Sequence, residues 1–195
     1  QQFTAVINEM GTVNGKAAYV ADSAASNIGK IAPRHYYGAD IQLKIPNGPG
    51  KGSTQLRAEY IQGQQTATAD ASETPGAIPV TAQGTPRPLY IRNFNGAYLY
   101  FIQHLGSSKH QAVVKYDWYD PNRKVAGKEI GQPGAALTPA DIRYNTLGIG
   151  YIYYASEHLK FMFYYDWVTN ESTALEGYEE DLKDNVFTCR MQYRF

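Results

Sequence analysis

The stretch DNVFTCRMQYRF, Asp184 to Phe195, decides the fold. Counted back from the end in steps of two, one face carries Phe195, Tyr193, Met191, Cys189 and Phe187. The other carries Arg194, Gln192, Arg190, Thr188 and Val186. Alternation with period two over about ten residues marks a β-strand with one apolar and one polar face. A tilted strand of about 9–11 residues also spans a bilayer. In a soluble sandwich such an apolar edge invites aggregation. In a membrane barrel the same face meets lipid. The alternative is an ordinary amphipathic strand of a soluble β-protein.

Composition bounds the answer further. The 195 residues suffice for a single domain with a real core. Formal net charge is zero, and there is no Lys/Arg-rich run. This argues against a nucleic-acid partner. Aromatic residues make up 13 %, and 17 residues are Tyr. Tyr, with an apolar body and a polar tip, suits a membrane–water interface. The mean hydropathy of −0.45 does not argue against a barrel, because every second strand residue faces a polar lumen. No apolar run reaches the ~18 residues of a transmembrane helix. The single cysteine, Cys189, leaves no intrachain disulfide and reads as a small hydrophobe on the last strand. No signal peptide is visible at Gln1, and QQFTAVIN already alternates as a strand, so a fragment is expected.

Seven further strands are expected ahead of the last: 1–8, 36–45, 54–62, 91–105, 111–119, 145–155 and 159–167. Apolar and polar residues alternate in each; Leu159, Phe161, Phe163, Tyr165 and Trp167, for example, oppose Lys160, Met162, Tyr164 and Asp166. Long polar or Gly/Ala/Pro-rich stretches separate them at 9–34, 63–88, 120–143 and 169–183. Short turns fall at 46–53, 106–109 and 156–158. About eight strands with connections alternately long and short describe an antiparallel, up-and-down transmembrane β-barrel, its short turns periplasmic. An even count places Gln1 and Phe195 at the same end.

The polar faces are expected to line a lumen. Lys44, Arg57, Arg92, Lys115, Lys160, Arg190 and Arg194 fall on them, with Asp40, Glu59, Asp117 and Asp166. Basic residues in a low-dielectric channel concentrate anions. These seven are therefore the candidate pore-lining, anion-selecting residues. The bland alternative is charges paired with their neighbours. Asp117, Asp120 and Asn122 around Pro121 offer oxygen ligands for calcium, but an Asp-Pro-Asn turn explains them better. The acidic residues of 169–183 read as a solvated loop. His35, His104, His110 and His158 have no metal-ligand spacing, and no nucleophile or nucleotide motif occurs. No catalytic residue, metal or cofactor is expected.

Four runs, in order, resemble the last strands of the phosphate-selective porins O and P, with the Bacteroidetes type the nearest. They are KYDWYDPN (Lys115 to Asn122), TLGIGYIYY (Thr146 to Tyr154), FMFYYDW (Phe161 to Trp167) and DNVFTCRMQYRF. Apolar residues at every second position up to a terminal Phe also resemble the endings of bacterial outer-membrane barrels, which makes Phe195, Tyr193 and Met191 the expected assembly signal. The resemblance is clear over residues 110–195. It implies that residues 1–195 form the C-terminal part of a barrel of about 16 strands in a Gram-negative outer membrane. It also implies a homotrimer in contact with lipid, passing small anions such as phosphate. No dense row of arginines stands in the loops to carry phosphate specificity. Two rivals remain at this point. One is a small complete barrel that works through its external loops. The other is a soluble, lipocalin-like barrel with Phe161, Phe163, Leu147 and Ile149 turned inward.

Overall fold

The computed structural model describes residues 6–195. Nine strands form one sheet: β1 (Ile7–Val13), β2 (Lys16–Asp22), β3 (His35–Pro46), β4 (Ser53–Ala67), β5 (Leu89–His104), β6 (His110–Asp120), β7 (Tyr144–Tyr154), β8 (Leu159–Asn170) and β9 (Val186–Tyr193). From β3 to β9 each strand pairs antiparallel with the next, so seven strands make an unbroken meander. The expected all-β antiparallel fold is therefore present.

Two expectations are corrected. The strand over 1–8 lies largely outside the described residues, and its last two, Ile7 and Asn8, open β1 instead. The loop over 9–34 is mostly a hairpin. Asn14 and Gly15 have φ of 52° and 77°, the two positive values of a type I′ turn, and this joins β1 to β2. The hairpin does not extend the meander. Ile7 and Asn8 pair in parallel with Leu89 and Tyr90, at the end of β5 that overshoots β6. Among the described residues the wall thus has seven meander strands plus a hairpin at the long-loop end, rather than eight wall strands.

The sheet has open edges. Among the described residues β3 pairs only with β4, and β9 only with β8. Short turns at 47–52, 105–109 and 155–158 lie at one end, and longer connections at 68–88, 121–143 and 171–185 at the other.

The register separates the two faces cleanly. One carries Ile41, Leu43, Leu56, Leu99, Phe101, Val114, Ile149, Phe163, Phe187 and Met191, all exposed. Tyr60, Tyr116, Trp118 and Trp167 sit toward its long-loop end and Tyr151, Tyr153 and Tyr193 toward its turn end. An apolar band between two aromatic girdles is the profile of a lipid-facing barrel wall. A soluble monomer does not leave so continuous an apolar surface in water.

The packed core lies elsewhere, at the long-loop end. Ala18 and Tyr19 of β2 pack with Val125, Ile130, Ala135, Leu137 and Ile142 of the 121–143 connection. Met10, Tyr90 and Tyr144 flank them. The Tyr19 N–H donates to the Ala135 carbonyl at 3.2 Å, and the Ala17 N–H to Glu129 Oε1 at 3.2 Å. A connection with its own apolar core and backbone ties is a folded cap.

Candidate functional site

The site is the polar face. One row across it reads Gln42, Arg57, Tyr100, Lys115, Gly148 and Asp166, each beside the next. The neighbouring row toward the long loops reads Asp40, Glu59, Tyr98, Asp117 and Thr146. Toward the turns lie Lys44, Gln55, Ile102, Val113, Gly150, Tyr164 and Thr188. The Arg92, Lys160 and Arg190 positions have the same parity. Arg194 follows β9 and donates its N–H to the His158 carbonyl at 2.8 Å. The register therefore gathers all seven basic residues onto one face, although they come from six strands and the chain end.

Their surroundings divide them into three groups. Lys115 is paired twice: its Nζ lies 3.1 Å from Asp166 and 3.5 Å from Asp117. Gly148 makes this possible, because a Cβ there would run into both the Lys115 chain and the Asp166 carboxylate. Gly150 does the same for the Tyr164 ring. Two glycines on β7 let large side chains lie flat across the strand.

Lys44, Arg57, Lys160, Arg190 and Arg194 form the second group. None makes an ion pair among the described residues. Arg57 donates to Gln55 Oε1 at 2.9 Å, and Lys160 lies over the Tyr154 ring at 5.9 Å. Of the acidic residues on the face, Asp40 and Glu59 are likewise without an ion pair among the described residues. Five unpaired cations thus face two unpaired carboxylates, and the cations lie toward the short-turn end.

Arg92 departs from the expectation that it lines a lumen. Its side chain is on the expected face but is fully buried, and it is paired with an equally buried Asp141. Its Nε donates to Asp141 Oδ1 at 2.9 Å, and Nη2 reaches Oδ2 at 3.5 Å. Nη1 donates to the carbonyls of Thr68 and Ala71, and Nη2 to that of Ala69. All five guanidinium donors are used, which satisfies a buried arginine completely. Asp141 also accepts from the Tyr19 hydroxyl at 2.8 Å, Asn122 Nδ2 at 3.0 Å and the Thr138 N–H at 3.0 Å. Burial, and then the Asp141 charge beside it, push the Tyr19 hydroxyl far above its ordinary range. It stays protonated and donates.

This network joins residues that alternation does not relate, since Tyr19 comes from β2, Arg92 from β5, and Asn122 and Asp141 from the two ends of the 121–143 connection. One local signal was available: Asn14-Gly15 is a strong hairpin dipeptide and marks the element that delivers Tyr19. Around Pro121 the structure shows a turn, with Asp120 Oδ1 accepting the Asn122 N–H at 2.9 Å. At the chain end Met191, Tyr193 and Phe195 are exposed on the apolar side, with the Tyr193 and Phe195 rings 6.2 Å apart.

A meander with a girdled apolar face, a charged opposite face and alternating short turns and long loops places this chain among the β-barrel porins. The sequence agrees: the model of the family "Phosphate-selective porin O and P" matches residues 90–195, more than half of the chain. The chain belongs to that family, whose members are outer-membrane channels of Gram-negative bacteria. No curated protein and no solved structure matches it.

Proposed function

We propose that this chain forms part of the wall of an outer-membrane diffusion channel that favours small anions such as phosphate. The observation that carries the reading is the charge left on the polar face: Lys44, Arg57, Lys160, Arg190 and Arg194 make no ion pair among the described residues, against Asp40, Glu59 and the one carboxylate by which Asp117 and Asp166 together exceed Lys115. Unpaired cations on a low-dielectric wall raise the local anion concentration. Charges already neutralised by a neighbour, such as Lys115, add little. With the short turns periplasmic, the cationic zone lies at the periplasmic half of the path.

The open edges support a larger barrel. About eight strands enclose a space that side chains fill, whereas 16–18 leave an aqueous channel. Among the described residues β3 and β9 each keep one free side, so further strands pair there to complete a wall of about 16 strands. A homotrimer follows the habit of the family. The reading as a small complete barrel, acting through its external loops, needs β3 and β9 to pair with each other. The soluble, lipocalin-like alternative needs the apolar face inside, whereas Leu147, Ile149 and Phe163 are exposed.

The test is conductance of the intact gene product in a planar bilayer under a salt gradient. An anion-favouring reversal potential, reduced by Arg57→Gln with Arg190→Gln, supports the proposal. Cation-favouring channels, or none, overturn it.

A further inference from the structure

We infer that Arg92 is a positioning residue for the channel's width: it pins a cap built from the hairpin and two loops against the inner side of the wall, so that the cap narrows the external mouth. The inference rests on the channel reading above.

The geometry runs through the overshoot of β5. Pairing with β6 begins at Asn95, opposite Asp120, so residues 89–94 stand beyond β6 at the long-loop end. On that overshoot Tyr90, Arg92 and Phe94 have the parity of Tyr98 and Tyr100 and therefore face the lumen side. Arg92 and Phe94 are buried, and Tyr90 is half-buried. Whatever covers them must itself lie on the lumen side. Phe94 meets the rings of Tyr36 and Tyr119 on the wall itself, whereas Arg92 and Tyr90 are covered by the carbonyls of residues 68, 69 and 71, the Asp141 carboxylate and the Tyr19 ring. The Tyr19 and Tyr90 rings meet edge-to-face at 4.9 Å. Tyr144, on the lumen parity of β7, packs against the same cap core. Two wall strands thus show the cap folded inward.

Arg92 is the junction of these parts. Its five donors reach the 68–88 connection three times and the 121–143 connection twice. Asp141 then passes the tie to the hairpin through Tyr19. A second tie joins the two loops without Arg92, Thr138 Oγ1 donating to the Ala69 carbonyl at 2.6 Å. Lysine keeps the charge of arginine but not its planar fork, so it cannot satisfy partners in several directions at once. Charge and position are therefore separable.

The experiment compares wild type, Arg92→Lys and Thr138→Val of the intact gene product in planar bilayers, using chloride, inorganic phosphate and the bulkier gluconate. Heat-modifiable migration checks folding. In Arg92→Lys we expect higher conductance and loss of the discrimination against gluconate, with the sign of the reversal potential unchanged. Thr138→Val shifts the same two readouts in the same direction and decides the matter if Arg92→Lys does not fold. Wild-type channels with both folded variants identical to wild type in conductance and gluconate exclusion overturn the positioning role alone. A loss of anion preference in Arg92→Lys at unchanged conductance also overturns it. No wild-type current overturns the channel reading, and the width role with it.

Discussion

Thr188 and Cys189 are neighbours in the middle of β9 and point to opposite faces. Thr188 stands beside Tyr164 on the polar face, and Cys189 beside Phe163 on the apolar one. Arginine introduced at each position tests the face assignment at nearly one depth. On the lipid side of a barrel an arginine near the bilayer midplane costs ~2–4 kcal/mol. At tenfold per ~1.4 kcal/mol, this lowers the folding equilibrium of Cys189→Arg by roughly 30- to 700-fold. Thr188→Arg adds one more cation to a hydrated face already bearing Arg190 and Arg194, and is expected to change stability by less than ~1 kcal/mol. The assay is urea unfolding of protein refolded into lipid vesicles, read by tryptophan fluorescence and by heat-modifiable migration. Trp118 and Trp167 both lie on the apolar face and report its transfer out of lipid. Equal costs at the two positions, or a larger one at Thr188, would refute the face assignment. An apolar-lumen barrel would then be the better account.

Lys115→Met strands two carboxylates, Asp117 and Asp166, and is expected to cost ~1 kcal/mol or more in the same unfolding assay, while Lys44→Met stays within ~0.5 kcal/mol. Gly63→Ala drives a Cβ into the His35 carbonyl across the β3–β4 ladder. A loss of ~1–3 kcal/mol and faster amide exchange along β3 should follow; wild-type exchange there would refute the close approach. The cap should also have an alkaline limit. Tyr19 ionises more readily unfolded than folded, so its contribution is complete below the ordinary tyrosine value of about 10 and is lost as pH rises beyond it. Near-ultraviolet circular dichroism between about pH 9 and 12 should show the cap loosening at lower pH in Tyr19→Phe only through the lost Asp141 bond, and with a shallower alkaline slope than wild type. An unchanged slope would refute the role of Tyr19.

Where alternation is strong, the sequence and the structure agree closely. The expected strands over 36–45, 111–119 and 145–155 became His35–Pro46, His110–Asp120 and Tyr144–Tyr154. The strand expected over 54–62 is longer in the structure: β4 continues to Ala67, because pairing with the β5 overshoot carries it past the last clear alternation, through GQQTA. The β1–β2 hairpin is hard to read in the sequence because KAAYVAD is apolar on both faces where it packs into the cap, which blurs the period of two. Loop residues such as Asp141 have no period at all to read.

Alternation alone suffices for the seven meander strands and their two faces, and the order of aromatic runs for the family resemblance, because both are properties of the chain that need no partner. It also placed all seven basic residues on one face. Which of them keep a free charge was decided only by tertiary structure. Lys115 is neutralised by carboxylates on its own strand and on β8, and Arg92 by an aspartate 49 positions away that arrives on a folded loop. Parity along a strand tells where a side chain points. What meets it there depends on the neighbouring strands and on the cap, and both are assembled by contacts distant in sequence.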